Sequence, residues 1–195
     1  MKHTVSLVHT SQLDDGTLET VRQLLDASYD GEFANEDWDH TLGGMHAMVW
    51  DGDVLVGHGS VVRRQFLHLP SGRDDWRTAS TLRTGYVEGV AVRADYRRRG
   101  IGAALMAALG DVIKRAYPLG ALSASDEGRS LYEALEWQAW RGQTFVQSPS
   151  GVERTPDEDA AFSCCRVRRW ISTAAWPATG AVATSGRSIA TSRWS

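Results

Sequence analysis

The stretch from Thr84 to Ala116 constrains this chain more than any other, because it writes a strand, a glycine turn and a helix without interruption. Tyr86-Val87-Glu88-Gly89-Val90-Ala91-Val92 is short, β-branched and apolar, and reads as a buried strand. Beyond the turn, Ile101, Leu105, Ala108, Leu109, Val112, Ile113 and Ala116 recur at helical spacing, with Asp111, Lys114 and Arg115 on the other side. Between them lies Arg97-Arg98-Arg99-Gly100-Ile101-Gly102. A helix start leaves backbone N–H groups unpaired at the positive end of its dipole, and glycine lets that backbone close on a phosphate. Three arginines at the same turn add charge and forked donors. A solvated helix start would be the plainer reading of the same residues; a diphosphate cradle is the functional one.

The dinucleotide fingerprint needs a third glycine where Leu105 stands, and the triphosphate loop needs a Gly-Lys-Ser/Thr that is absent. What fits is Arg-x-x-Gly-x-Gly at 97–102 behind a Val-Ala-Val strand end. This arrangement resembles the acetyl-CoA-binding segment of the Gcn5-related N-acetyltransferases.

At 195 residues, with 42% hydrophobic and 23% charged residues, the chain is sized and composed as one soluble globular domain. The N-terminus shows no apolar signal region, and the longest apolar run, 103–109, is far too short to span a bilayer. Cys164 and Cys165 are adjacent, which gives neither a disulfide framework nor ordinary metal-ligand spacing. No metal is expected, and the expected location is the cytoplasm. Charge is unevenly spread. Residues 1–162 hold 16 of the 21 bases and all 24 acids, a formal −8, whereas 163–195 carry five arginines and no acid. An acidic body suits a cationic partner, although it also simply aids solubility.

In chain order, Val5–His9 reads as a strand. Asp14-Asp15-Gly16 starts a helix whose stripe is Leu18, Val21, Leu24, Leu25 and Ser28. Asn35 reads as the N-cap of a second helix with an acidic first turn, ending at Gly43-Gly44. Strands 47–50 and 54–62 follow, joined by Asp51-Gly52-Asp53, and the second is able to continue to Leu69. Residues 70–80 form a polar loop. After the central strand and helix come a strand at 120–124, a helix from Ser125 or Asp126 to Leu135, and a late strand around Phe145-Val146. Periodicity alone says mixed α/β. The resemblance implies more: an α/β (α+β) Gcn5-related N-acetyltransferase fold, a mixed central sheet flanked by helices whose two central parallel strands splay apart.

Glu88 is the one carboxylate in its apolar strand, and alternation places it on a face with Tyr86, Val90 and Val92. Acyl transfer to an amine needs a base, since only the neutral amine attacks, and burial raises a carboxylate's pKa towards that task. A solvent-facing edge carboxylate is the alternative. Tyr132, within Leu131-Tyr132-Glu133, is either a core tyrosine or a phenol able to return a proton to a thiolate leaving group. Its helix ends in Glu136-Trp137 where such helices commonly have Gly-Phe, so the end loses glycine's easy left-handed conformation. Two acidic clusters, Glu32 with Glu36, Asp37 and Asp39, and Asp157-Glu158-Asp159, are either solvated or suited to a polycation.

Taken together, 37–47, 85–95 and 154–159 look like the aminoglycoside 2'-N-acetyltransferases over about residues 5–162. This resemblance implies that Val90, Ala91 and Val92 hold the pantetheine and acetyl carbonyl, and that Arg97, Arg98, Arg99, Gly100, Ile101 and Gly102 hold the diphosphate of acetyl-CoA. Glu88 would be the water-linked base and Tyr132 the acid. Glu32, Glu88, Gly89, Ser123, Asp157 and Glu158 would line the aminoglycoside site, with Glu32 where the family usually has Asp. Transfer would be direct, in a ternary complex, because no cysteine lies near the cradle, and the Val90 N–H would polarise the thioester carbonyl. Two rivals stand beside this reading. One is an N-acetyltransferase acting on another amine, such as a cell-wall amino sugar or a polyamine. The other is an acyl-CoA-binding regulator with a basic nucleic-acid-binding tail, against which the tail's lack of lysine and of regular aromatic interleaving argues. No membrane partner is expected, and the oligomeric state stays open, a homodimer included.

The division expected is an N-acetyltransferase domain at 1–162 and an Arg/Ala/Ser/Thr-rich tail at 163–195, frame-shifted relative to the family. Back-translated with GC-rich codons and read from the third base of the Phe162 codon, the tail becomes a peptide with alternating apolar residues, restored acids and the family's Cys-Asp-Trp-Arg ending. Read as printed, the tail is expected not to pair as the late strands.

Overall fold

A computed structural model describes residues 4–159, 161–166 and 181–185. Four strands form an antiparallel meander: β1 (Val5–His9), β2 (Met45–Asp51), β3 (Val54–Leu69) and β4 (Ser80–Val92). The hairpin at 51–53 is the expected one, and β3 does run on to Leu69. β5 (Leu119–Ser123) lies parallel to β4. Outside β5 come β9 (Phe162–Arg166) and then β6 (Gln138–Ala139). The far half of β3 pairs with β10 (Ala181–Ser185), which pairs in turn with β7 (Gln143–Ser148), and β8 (Gly151–Arg154) closes that edge.

Two parts of the tail therefore pair, contrary to the expectation that it cannot: 163–166 beside β5, and 181–185 between β3 and β7. The first is Ser-Cys-Cys-Arg, mostly small residues, and the second is Ala-Val-Ala-Thr-Ser, in which β-branched residues suited to a pleated surface alternate with small ones. Residues 167–180 and 186–195 lie outside the described set, and with them most of what was expected of the tail.

Helices cover both faces. α1 (Asp15–Ser28) is capped by Asp14, whose carboxylate accepts from the Thr17 N–H at 2.7 Å, and it buries Val21, Leu24 and Leu25 against β3 and β4. α2 (Asn35–Thr41) begins one residue earlier than read: Ala34 is the cap, and Asp37 Oδ2 reaches back to accept from its N–H at 2.9 Å. Asn35 is thus inside the helix, because the carboxylate three residues on satisfies the free donor from the other direction. On the opposite face α3 (Ile101–Ala116) buries Ile101, Leu105, Met106, Leu109 and Ile113, packed on Val87, Val90 and Val92.

α4 (Asp126–Ala134) is capped by the Ser125 hydroxyl, which accepts from the Gly128 N–H at 3.1 Å. Its other end closes by a doubled bond, Trp137 N–H to Tyr132 C=O at 2.9 Å and Glu136 N–H to Glu133 C=O at 3.0 Å. Glu136 takes the left-handed conformation, φ 63°, that glycine usually supplies there. The closure sets the Tyr132 ring against Trp137, centroids 6.4 Å apart.

Candidate active site

The parallel pair β4–β5 carries the site because it comes apart. Pairing is limited to Thr84–Leu119, Gly85–Gly120 and Tyr86–Ala121, while β5 stays paired to β9 along its whole length. Beyond Tyr86 the two strands diverge. The recess so opened is lined by Glu88, Gly89, Val90, Leu122, Ser123 and Tyr132, together with Tyr29, which caps the C-terminal end of α1.

A bulge in β4 sits at that point. Ser60 pairs with Glu88 and His58 with Ala91, so Gly89 and Val90 together face the single residue Gly59. Gly89 supplies φ 54°, and a Cβ there would lie 2.8 Å from Thr41 Cγ2. The extra residue shifts side-chain parity. Val87, Val90 and Val92 all pack on the α3 side, whereas Glu88 is turned towards Arg64, near enough to Asp37 and Glu158 to feel their charge. The sequence alternation that grouped Glu88 with Val90 and Val92 is thereby corrected, since strict period two holds only for an unbulged strand.

Glu88 is 5% exposed and pairs with the Nη2 of Arg64 on β3. Burial pushes its carboxyl up; the Arg64 charge opposes this, and Asp37 and Glu158 reinforce it. Desolvation wins, and the carboxyl is pushed up to about 7. Arg64 lies over the Tyr86 ring, 4.4 Å from its centroid, and its Nη1 is buried without a hydrogen-bond partner among the described residues. Asp37 Oδ1 is likewise buried and unpartnered, and burial raises that carboxyl too. Both are buried polar atoms of a kind that a polar ligand or water commonly satisfies.

Of the residues expected at the substrate, Gly89, Ser123 and Glu88 share the recess, and Glu158 is near enough to Glu88 for its charge to act there. Glu32 is exposed in the turn between α1 and α2, its N–H bonded to the Tyr29 carbonyl at 2.9 Å. The backbone of Asp157 lies in the 156–158 turn; its side chain is outside the described set. Tyr132 is 3% exposed, in the α3-side core, and also lines the recess.

The cradle forms a second cleft of about 310 Å³, lined by Val92, Arg97, Arg98, Gly100, Ile101 and Gly102, with Ser130 and Leu131 of α4 opposite. Gly100 caps α3 at φ 81°, and no side chain caps the helix N–H groups. Arg98 is also left-handed, φ 59°, a strained conformation held where the backbone turns towards the cleft. Arg97 Nε donates to the Val92 carbonyl at 3.3 Å. Arg99 does not line this cleft; its guanidinium lies over the Tyr96 ring at 4.8 Å. Ala91 presents its side chain to the α1 core, leaving only backbone for a ligand. Uncapped N–H groups, open space and arginine together fit a diphosphate.

Residues 15–137 match the Acetyltransferase (GNAT) family. The chain belongs to that family. The GNAT co-substrate is acetyl-CoA, and the cradle fits it on the geometry above. An aminoglycoside 2'-N-acetyltransferase of Mycolicibacterium fortuitum is 46% identical over 157 residues, 80% of this chain and 76% of that protein. Among solved structures, the GNAT family N-acetyltransferase YhbS of Escherichia coli, in complex with CoA, superposes with TM-score 0.60 at 13% identity, over 94% of this chain and 91% of that one. Escherichia coli ElaA does so with TM-score 0.57 at 18% identity, over 84% and 99%. At such identities these two speak for the GNAT fold alone.

Sequence reasoning missed Arg64, Tyr29 and a buried pair, His46 and His58. Arg64 sits in Arg63-Arg64, of which alternation buries one, but only the tertiary pairing says which meets Glu88. Both cysteines are on β9, and burial pushes Cys164 up to about 12 and Cys165 to about 11, so neither supplies a thiolate. Among the described residues no group of three or more His, Cys, Asp or Glu is placed to hold a metal ion, and no helix is long and apolar enough to cross a membrane.

Proposed function

We propose that this chain acetylates the 2'-amine of aminoglycoside antibiotics in a ternary complex, in the cytoplasm. The observation that carries this is the recess at the splay lined by Glu88, whose carboxyl is pushed up to about 7 by burial and by the negative charges of Asp37 and Glu158. The 46% identity to an aminoglycoside 2'-N-acetyltransferase supports the same substrate class. Acetyl-CoA, when bound, supplies an acetyl group activated as a thioester. Glu88 Oε, directly or through water, takes the proton from the substrate ammonium and leaves the neutral amine. The Val90 N–H, at the bulge, donates to the acetyl oxygen as charge develops on it. Tyr132 Oη holds the proton that the departing thiol regains. Acetylation cancels one positive charge and adds bulk, which weakens binding to ribosomal RNA.

CoA release measured against aminoglycosides with and without a 2'-amine, alongside a polyamine and an amino sugar, tests the substrate. Turnover confined to the 2'-amine compounds supports the reading; equal turnover of the polyamine moves it to a general amine acetyltransferase.

Two further outcomes follow from the geometry. Tyr132→Phe keeps the contact with Trp137 and lowers kcat roughly tenfold to a thousandfold. Full activity in that variant returns Tyr132 to a packing role. Glu32→Gln with Glu158→Gln raises KM for the aminoglycoside several-fold and leaves KM for acetyl-CoA alone, and added salt reproduces the effect by screening. A salt-independent KM shows those carboxylates to be merely solvated.

A further inference from the structure

His46 and His58 are each fully buried in the α1-side half of the sheet, and the transfer chemistry above uses neither. They are joined end to end. His58 Nδ1 lies 2.8 Å from the Gly89 carbonyl oxygen, His58 Nε2 lies 2.9 Å from His46 Nδ1, and His46 Nε2 lies 2.8 Å from Thr10 Oγ1. We propose that Thr10, His46 and His58 form a one-way hydrogen-bond chain that polarises the Gly89–Val90 peptide and strengthens the Val90 N–H as a donor to the acetyl oxygen. This rests on the reading of Val90 as that donor.

The direction of the chain follows from what each atom can do. A carbonyl oxygen only accepts, so His58 Nδ1 carries the proton. Burial holds both imidazoles neutral, His58 down to about 3 and His46 to about 4. A neutral ring has one donor, so His58 Nε2 accepts from His46 Nδ1–H, and His46 Nε2 accepts in turn. Thr10 completes the order. Its hydroxyl oxygen accepts from the N–H groups of Gly43 at 2.9 Å and Gly44 at 3.2 Å, which occupies both lone pairs. Its one proton then goes to His46 at 2.8 Å in preference to the Gly44 carbonyl at 3.2 Å. All three bonds point towards β4.

Geometry carries the effect across the strand. The described residues contain no cis peptide, and in a trans peptide the C=O and N–H point in opposite directions. The Gly89 C=O faces His58 on β3, so the N–H of the same peptide, that of Val90, faces away from β3, where the splay opens between β4 and β5. A bond accepted at the oxygen draws electron density from the nitrogen. Successive bonds in a chain strengthen one another by about 10–30% each in a poorly screened interior. Two histidines and a threonine would thus make one backbone donor stronger without touching substrate: they are positioning residues.

The test uses the full chain with Thr10→Val, His58→Leu and His58→Asn. The Asn amide nitrogen stands near the place of Nδ1 and restores a donor to the Gly89 carbonyl. Four quantities are read: kcat, KM, the infrared carbonyl stretch of bound carbonyl-¹³C-labelled acetyl-CoA, and the Val90 amide proton shift in the protein alone. His58→Leu is expected to lower kcat roughly three- to thirtyfold, a fraction of the loss of a whole oxyanion donor, at unchanged KM for acetyl-CoA. It should also raise the carbonyl stretch and move the Val90 amide proton upfield. His58→Asn recovers most of each change. Thr10→Val, two links away near the surface, gives a smaller change in the same direction and serves if the His58 variants fail to fold. A lowered kcat with both spectroscopic signals unmoved overturns the proposal and leaves the histidines as packing. Should the labelled carbonyl be insensitive in every variant while the Val90 amide proton moves, the relay stands and the assignment of Val90 as acetyl donor is what fails. An unmoved amide proton sinks the relay regardless.

Discussion

Glu88→Gln lowers kcat by roughly tens to thousands of fold and leaves acetyl-CoA binding little changed. The amide keeps an oxygen where Oε1 meets Arg64 Nη2, so the buried guanidinium retains an acceptor and the variant is expected to fold. What it loses is the ability to take a proton, and among the described residues no other carboxylate lines the recess, Asp37 and Glu158 acting on Glu88 only through their charge. Stopped-flow or steady-state CoA release measures kcat, and titration of acetyl-CoA by fluorescence or calorimetry measures binding. An unchanged kcat ends the assignment of Glu88 as base. Loss of acetyl-CoA binding together with kcat makes the residue structural, because the cleft around Arg97 to Gly102 lies away from Glu88.

Arg64→Met separates the two forces that set the Glu88 carboxyl. Desolvation raises it and Arg64 holds it back, the result being about 7. An opposite charge at contact distance commonly lowers a carboxyl pKa by about 1–3 units. Its removal therefore carries Glu88 further up, and the ionised form required for proton removal becomes scarce at neutral pH. The acid limb of the kcat/KM profile moves to higher pH by about 1–2 units, the rate at pH 7 falls about fivefold to fiftyfold, and it recovers as the pH rises. Methionine keeps a long apolar side chain at the position, so what is removed is the guanidinium charge together with its stacking on the Tyr86 ring. An acid limb that stays in place shows that Glu88 is not the group titrating in the rate. The two variants are complementary: Glu88→Gln abolishes the limb, Arg64→Met displaces it.

How much of this was legible beforehand differs from residue to residue. The cradle was readable because it is local: a strand end, a left-handed glycine and a helix start lie within some ten residues, and their backbone geometry follows from those residues alone. The apolar stripe of α3 and the 51–53 hairpin were readable for the same reason. Glu88 and Tyr132 stood out because a carboxylate in an apolar strand and a phenol in an amphipathic helix each have few explanations, but sequence left their partners blank.

Long-range pairing supplied the rest. Whether β4 bulges depends on the register it finds against β3, and that register turned Glu88 away from Val90 and Val92 and towards Arg64, 24 residues earlier in the chain. The splay of β4 from β5 leaves β5 paired on one edge with β4 only as far as Ala121 and on its other edge with β9 as far as Ser123, an arrangement of three strands that no single segment encodes. Local sequence thus determined the cradle, the core-facing stripes and the identity of the candidate base. Tertiary structure decided the protonation of that base, the counter-ion that tunes it and the histidine chain behind the bulge. The reason is physical: backbone dihedrals and amphipathic period are properties of neighbouring residues, whereas desolvation and the partners of a buried polar atom are properties of whatever else the fold brings within a few ångströms.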